Sequence, residues 1–517
     1  MELAITAERP AEVITDSAPY LDVRETHTGV VILAGDRAYK AKKPLVTDFV
    51  DFRTVEERER ACRREVELNR RLSPEAYLGV AHLSDPAGRP DEPIVVMRRY
   101  RDQDRLAFLV TRGKSGESCE KLLDSIAAVL AEFHRQAERS PLISAQGEAR
   151  AIDERWRANL RELHQFTAIP GVTPEAIDHI SDLAAQYVSG RGRLFARRID
   201  EDSIIDGHGD LLADDIFFVD GQPALLDCLE FDDQLRHLDC IDDAAFLAMD
   251  LEFLGRSDLG EYFLARYVAL TGDEVPPSLR HFYIAYRAVV RAKVDCVRFL
   301  QGKPESADDA ARHLAIATRH LAGAAVRLAL IGGNPGSGKS TVAHGLAEQV
   351  GAQVISTDDV RRELRESGAI SGSPGVLDSG LYSPGNVAAV YETVLHRART
   401  HLSEGESVIL DGTWQDPGLL AQARRMADQT RARLVEIMCA VPVETTADRI
   451  ENRAAGNSDA TPDIAAALAA RRAAWESAYR MDTSQPLETT VAQACEAWRQ
   501  ATDSDLGRRS GQESVRG

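Results

Sequence analysis

The stretch Gly333-Asn334-Pro335-Gly336-Ser337-Gly338-Lys339-Ser340-Thr341 decides how the second half of this chain is read. It satisfies G-x-x-x-x-G-K-[ST] through Gly333, Gly338, Lys339 and Ser340. An apolar run precedes it (Val326, Leu328, Ala329, Leu330, Ile331), and a helix-like run follows from Thr341 to Val350. That strand–loop–helix context is what the pattern needs before it counts as a phosphate-binding loop. The glycines let backbone N–H groups turn inward around phosphate oxygens, and the helix N-terminus adds partial positive charge. Lys339 then reaches the β- and γ-phosphates, and Ser340 offers a hydroxyl to Mg²⁺. The whole stretch is therefore the candidate seat of a nucleoside triphosphate, ATP with Mg²⁺. The plain alternative is an ordinary Gly-rich β–α turn.

Composition sets the frame around this loop. A chain of 517 residues holds two or three domains, and 44% hydrophobic with 28% charged residues is soluble globular content. A formal net charge of −20 opposes nucleic acid and anionic membrane as partners. Seven cysteines (Cys62, Cys119, Cys228, Cys240, Cys296, Cys439, Cys495) are scattered without C-x-x-C spacing, which reads as reduced thiols. No basic n-region opens the chain and no apolar run has membrane-spanning length, Arg327 interrupting the best candidate. The expectation is a cytoplasmic protein.

In chain order, residues 1–20 read as a loose lead-in. Val30 to Leu33 and Arg37 to Lys43 flank Ala34-Gly35-Asp36 as a β-hairpin, with Lys40 and Lys42 on one face of the second strand. A helix follows from Thr54 to Leu72, with a buried stripe of Val55, Ala61, Cys62, Val66, Leu68 and Leu72. Ile94 to Val96 is a short buried strand, and helices dominate from Leu122 to Tyr187. Ile204-Ile205-Asp206-Gly207-His208-Gly209-Asp210 then leads to two strands, Ile216 to Val219 and Ala224 to Leu226, joined at Asp220-Gly221. Helices return from Ile241 to Ala325, and the domain boundary is expected near Gly323. Residues 504–517 are polar and read as a disordered tail.

His208-Gly209-Asp210, the hairpin after it and Asp227 at the end of Leu225-Leu226-Asp227 resemble the aminoglycoside phosphotransferase and choline kinase-like family, relatives of protein kinases. The resemblance covers residues 21–323 and implies a bilobal α+β fold. By it, Asp210 matches the catalytic base and Asp227 a metal-binding aspartate. Asp215 falls where the family has Asn, a departure that still leaves an oxygen donor for Mg²⁺. Lys40 or Lys42 matches the strand lysine that meets the phosphates, Glu65 its ion-pair partner, and Met97 to Tyr100 the hinge at the base. The Gly-rich loop is reduced to Thr26-His27-Thr28-Gly29. The run Glu230, Asp232, Asp233, Asp239, Asp242, Asp243 suits either a cationic substrate such as an amino sugar or a solvated acidic face, and the solvated face is the expectation.

Beyond the phosphate-binding loop, Ala352 to Ser356 leads into Thr357-Asp358-Asp359-Val360-Arg361, Ser407 to Asp411 is a third strand, and Arg433 to Ala440 a fourth. A helix from Thr445 to Arg453 carries Arg449 and Arg453 four apart, on one face. Order and spacing resemble the polynucleotide 5′-kinase-like and gluconate kinase-like P-loop kinases over residues 326–503, an α/β fold with a parallel sheet. The resemblance implies Asp358 as general base, Arg361 as its orienting partner, Asp411 as a Mg²⁺ holder, and Arg449 with Arg453 as a lid over the triphosphate. Helix capping by Asp358 and plain exposure of the arginines are the alternatives.

The layout resembles bacterial fusions of an aminoglycoside phosphotransferase-like domain with an AAA-type P-loop kinase domain. It implies a bifunctional ATP-dependent phosphotransferase acting on hydroxyls of small molecules, sugars and amino sugars among them. The rival is a nucleotide-gated regulatory protein whose front half only senses ATP.

Overall fold

A computed structural model of the protein describes residues 20–25, 29–45, 51–84, 88, 90–113, 116–373, 377–442, 445–446, 449–450, 467 and 475–512. Contact density divides the chain into two compact units, Met1–Ser115 with Asp210–Asp233, and Gly116–Gly209 with Gln234–Gly517. The helical part of the front half therefore groups with the P-loop half, where the sequence placed a cut near Gly323. The elements are those of a two-part α+β and α/β chain, an antiparallel sheet with a helix in the first unit and a helical part with a parallel sheet around the P-loop in the second.

In the first unit the expected hairpin forms as β2 (Gly29–Ala34) and β3 (Arg37–Lys42). With β1 (Leu21–Glu25), β4 (Tyr77–Leu83) and β5 (Glu92–Arg98) they make an antiparallel sheet in the order β1-β2-β3-β5-β4. Thr54 caps α1 (Val55–Asn69), its hydroxyl accepting from the Glu57 N–H at 3.2 Å. Cys62 and Val66 of α1 pack against Ala76, Tyr77 and Val95, so the helix lies against β4 and β5. The buried face of α1 is more polar than the expected stripe, since it includes Arg58, Glu65 and Asn69. Strands β7 (Ile216–Val219) and β8 (Gln222–Leu225) pair in the same unit. Their turn, Asp220 at φ 50° and Gly221 at φ 79°, has the two left-handed residues that a two-residue hairpin favours.

The second unit opens with helices α2 (Gly116–Gln136), α3 (Ala149–Leu163), α4 (Pro174–Gly190) and α5 (Gly192–Asp200). After the short pair β6 (Ile204–Asp206) and β9 (His237–Asp239) come α6 (Cys240–Phe253), α7 (Ser257–Thr271), α8 (Pro277–Leu300) and α9 (Ser306–Ala324). The P-loop part follows as β10 (Arg327–Gly332), α10 (Lys339–Val350), β11 (Gln353–Ser356), α11 (Thr357–Glu366), α12 (Pro384–Ser403), β12 (Val408–Asp411), α13 (Pro417–Gln429), β13 (Arg433–Ala440), β14 (Tyr479–Asp482) and α14 (Leu487–Gln512). Its five strands are all parallel, in the order β11-β12-β10-β13-β14. Every residue of the central strand β10 is buried, as expected where helices cover both faces. Ala329, Ile331, Ile409, Val435 and Ile437 meet Val342 and Leu346 of α10 and Trp498 of α14 in one core.

Buried Arg191, between α4 and α5, explains why the helical part and the P-loop part group together. One nitrogen, Nη1, donates to the carbonyls of Gly190 (2.7 Å), Leu402 (2.6 Å) and Thr430 (2.8 Å). Leu402 lies in the last turn of α12 and Thr430 caps α13, so the guanidinium sits at two helix C-termini, where positive charge is favoured. Ser278 adds a bond to the Gly405 carbonyl at 2.6 Å.

Three expectations need correction. Strands β1 and β14 were not anticipated, and α14 continues to Gln512, past the start of the expected tail. The helix runs on through Gly507 and Gly511, weak helix formers that made this stretch read as a tail. Arg453 and Thr26 to Thr28 lie outside the described residues, as do residues 1–19 of the lead-in. All seven cysteines are free, and no described helix is long and apolar enough to cross a membrane.

Candidate functional sites

In the first unit, β3 and α1 bring Lys40, Lys42 and Glu65 together, because alternate residues of a strand face the same way. The Glu65 carboxylate has no exposed surface and lies between the two ammonium groups, 2.9 Å from Lys40 and 2.6 Å from Lys42. Burial alone would raise its pKa, but Lys40 and Lys42 hold it below the usual range. The lysines differ in their second partner. Lys42, fully buried, is locked to Glu230 and lies over the Phe52 ring. Lys40 pairs with Asp227 at 2.5 Å, and Asp227 is 43% exposed. Of the two candidates, Lys40 is the one that reaches an open carboxylate.

Asp227 is held from behind. Its N–H donates to the Tyr77 hydroxyl at 3.0 Å, the Cys228 N–H to Asn69 Oδ1 at 2.9 Å, and the Ser73 hydroxyl to the Leu225 carbonyl at 2.9 Å. Asp227 also sits at φ 62°, a left-handed conformation that aspartate tolerates better than most residues and that these anchors hold in place. Desolvation pushes Asp215 well above the usual carboxylate range, and Asp227, Asp210 and Asp214 push it further, with Lys40 opposing. Converging carboxylates of this kind are what a divalent cation neutralises, and oxygen donors suit Mg²⁺. Among the described residues no three or more His, Cys, Asp or Glu side chains form a closed metal cage. Mg²⁺ is compatible with that, since it takes one or two carboxylates and completes its shell with phosphate and water. Met97 packs its side chain against the core beneath α1, leaving the chain just after it as the candidate hinge.

Within the second unit, His208 and Gly209, the residues before Asp210, are tied to neighbouring side chains. The Asp243 carboxylate on α6 accepts from the N–H groups of His208 (2.7 Å) and Gly209 (2.9 Å) and contacts His134 Nε2 at 3.0 Å. Arg287 donates to the Gly209 carbonyl at 3.2 Å and pairs with Asp242 at 2.7 Å. A Cβ at Gly207 would meet Asp243 Oδ2 at 2.6 Å, so glycine is required there by close approach. These contacts overturn the solvated-face reading for Asp239, Asp242 and Asp243, which are 3%, 2% and 0% exposed. Asp239 is paired with Arg198 at 2.7 Å. Their partners, Arg198, Arg287 and His134, are all distant in sequence.

The P-loop lies where the sequence put it, between β10 and α10. Gly336 and Gly338 adopt φ 80° and 81°, and a Cβ on Gly336 would meet the Thr446 carbonyl at 2.9 Å. Lys339 and Ser340 open α10, with Thr341 behind them. The Ser340 hydroxyl donates to Asp411 Oδ2 at 2.6 Å. Asp411 Oδ1 and Ser337 Oγ are buried without a hydrogen-bond partner among the described residues. Orphaned buried oxygens beside a phosphate loop fit a missing cation and phosphate. Burial raises the Asp411 pKa, Lys339 and Ser340 lower it, and Asp358 raises it further, which places Asp358 in the same electrostatic neighbourhood.

Asp358 is not the cap of α11. Ser356 is, accepting from the Asp358 N–H at 3.2 Å. Asp358 instead pairs with Arg361 at 2.5 Å, and that guanidinium lies 4.6 Å from the Tyr382 ring centroid. Arg449 donates to the Thr483 carbonyl at 2.9 Å, and its Nη1 would lie 3.4 Å from a Cβ on Gly338, so it stands beside the loop. Asn334 accepts from Gln415 at 3.0 Å. Thr483, whose hydroxyl donates to the Ser337 carbonyl at 2.5 Å, was not singled out in the sequence. Neither were Tyr77, Asn69, Asp243 as an anchor, His134 or Arg287. Tyr77, Asp243, Arg287 and Thr483 act on the backbone of a motif residue, Asn69 on the residue after Asp227, and His134 on the Asp243 carboxylate, all from far along the chain.

Comparison with known proteins adds three findings. Residues 328–477 match the AAA domain family. The chain is 63% identical over 493 residues to uncharacterized protein Rv2004c of Mycobacterium tuberculosis, covering 95% of this chain and 98% of that protein. An uncharacterized protein of Mycobacterium bovis matches to the same extent. Among solved structures, a choline/ethanolamine kinase family protein from Mesorhizobium loti aligns at TM-score 0.37 with 14% identity, covering 60% of this chain and 94% of that one. A gluconokinase from Sinorhizobium meliloti aligns at TM-score 0.28 with 16% identity, covering 35% and 97%.

Proposed function

Because the chain belongs to one family with the mycobacterial proteins it matches over nearly their whole length, and carries an AAA domain at 328–477, we propose that it is an ATP-dependent phosphotransferase with two separate nucleotide sites. On this reading residues 21–323 and 326–503 each transfer the γ-phosphoryl of ATP to a hydroxyl of a small molecule. The Lys40–Asp227 pair at 2.5 Å carries the two-site reading. A P-loop alone would make one nucleotide site, whereas this pair supplies a second phosphate-reaching cation beside a second metal-competent carboxylate.

In the front site Asp210 accepts the proton of the acceptor hydroxyl, and the preceding Gly209 is held by Asp243 and Arg287. Asp215 and Asp227 hold Mg²⁺, and Lys40 orients the phosphates while Glu65 keeps it extended. In the rear site Lys339 and the loop N–H groups hold the phosphates, and Ser340 with Asp411 holds Mg²⁺. Asp358 takes the acceptor proton, Arg361 orients Asp358, and Arg449, beside the loop, meets the triphosphate. Bound Mg²⁺ supplies charge neutralisation at the transferred phosphoryl; the side chains supply position, with no covalent enzyme intermediate.

One observation favours the sensor reading of the front half. Lys40 and Asp227 neutralise each other, and Asp215 stands where the resembling family has Asn, adding negative charge. Transfer of labelled γ-phosphate from ATP into a metabolite extract separates the two readings. The bifunctional enzyme loses one set of labelled products in Asp210→Ala and a different set in Lys339→Ala. If Lys339→Ala abolishes every product and Asp210→Ala none, the front half is not catalytic.

A further inference from the structure

A groove of about 850 Å³ lies in the second unit, lined by α3, α4 and the turn into β13. Arg150 and Arg157 enter it from α3, seven residues apart and so on one helical face, and Arg431 and Arg433 from the turn. Two carboxylates, Asp153 and Asp182, share the lining; Asp153 is taken by Arg157 at 2.9 Å, and outside the lining Glu154 approaches Arg150 to 3.9 Å. Arginine outnumbers aspartate two to one here, in a chain whose formal net charge is −20. His179 adds a further nitrogen donor.

The groove is separate from the phosphate loop. Arg433 pairs in register with Arg327, the first residue of β10, whereas the loop begins beyond Gly332 at the other end of that strand. Five residues of strand separate the two levels, roughly 17 Å. The groove also spans a structural joint. Gln186 on α4 accepts from Arg433 Nη2 at 2.6 Å and donates to the Arg431 carbonyl at 3.4 Å. Any occupant therefore touches both the helical part and the base of the P-loop sheet.

We propose that this groove binds a small compound bearing several phosphate charges. Guanidinium groups present paired N–H donors in a planar fork that matches phosphate oxygens, and a cluster of them on an acidic protein concentrates anions locally. The assignment does not depend on either catalytic site. Its probe is inorganic pyrophosphate, titrated calorimetrically into the full chain with excess Mg²⁺ and a non-hydrolysable ATP analogue filling the nucleotide sites. One further site is expected. Its affinity falls at least about tenfold in the double variant Arg150→Glu/Arg431→Glu and is kept within about threefold in Arg150→Lys/Arg431→Lys. Both arginines are exposed, so the variants fold, which undiminished binding of the ATP analogue verifies. No pyrophosphate heat beyond the filled sites, or equal affinity in the charge-reversed variant, overturns the proposal.

Discussion

Glu65→Gln tests the front site at its most constrained point. The carboxylate has no exposed surface and faces two ammonium groups, at 2.9 and 2.6 Å. An amide of the same shape keeps the packing but removes the negative charge. Losing one partner of a buried ion pair costs about 3–5 kcal/mol. Asp227 and Glu230 remain to pair Lys40 and Lys42, so the lower end, about 3 kcal/mol, is expected. At 1.36 kcal/mol per decade, that is about a 100-fold rise in the opening constant of α1. Hydrogen exchange at the amides of Cys62 to Asn69 reads it directly, under conditions where exchange follows the opening equilibrium. Lys40 also turns fully to Asp227 in this variant, and affinity for MgATP at the front site falls about tenfold. Glu67→Gln, on the exposed side of the same helix, is the control and changes exchange by less than about threefold. If Glu65→Gln exchanges within about threefold of the parent, the buried triad is not an energetic unit and the reasoning fails.

The remaining predictions concern anchors. Asp243→Asn can accept from only one of the His208 and Gly209 N–H groups and turns a donor toward the other, so products that depend on Asp210 fall about 100-fold while those that depend on Lys339 are unchanged in product-resolved turnover. Arg191→Met leaves the Thr430 carbonyl without its donor while Leu402 keeps the Gly405 N–H at 3.2 Å, costs about 1–3 kcal/mol, and lowers the unfolding midpoint followed by tryptophan fluorescence. Burial, with His320 and Arg280 adding and Glu252 opposing, pushes His281 down to about 4. The native state thus binds fewer protons than the unfolded one between about pH 6.5 and 4, and stability falls by up to about 3 kcal/mol as pH drops through that window. Denaturant titrations of the parent and His281→Phe at both ends of the window should differ in that slope.

Much of the site was legible because its chemistry is local in sequence. The P-loop carries its own glycines, lysine and hydroxyl, and Asp220-Gly221 specified a hairpin that delivers Asp227. Period two placed Lys40 and Lys42 on one face, and both do reach Glu65. Which of them opens toward the site depended on Glu230 and Phe52 covering Lys42, contacts that spacing does not encode. The second half of the acidic run after the hairpin departs from the solvated face expected for it, for a similar reason, while Asp233 is exposed as expected. Asp239, Asp242 and Asp243 begin a helix buried on nearly every side, and their partners lie 41, 45 and 109 residues away. Strand β1 left little signal because its alternation is only two apolar residues long, Leu21 and Val23, too short a run to mark a strand.

The central claim is that one chain holds two phosphate-handling sites of unrelated build. Calorimetry with Mg²⁺ and a non-hydrolysable ATP analogue tests it most directly. Two nucleotides bound per chain are predicted, falling to one in Lys339→Ala, to one in Lys40→Ala, and to none in the double variant. One nucleotide in the parent chain, abolished by Lys339→Ala and untouched by Lys40→Ala, would contradict it.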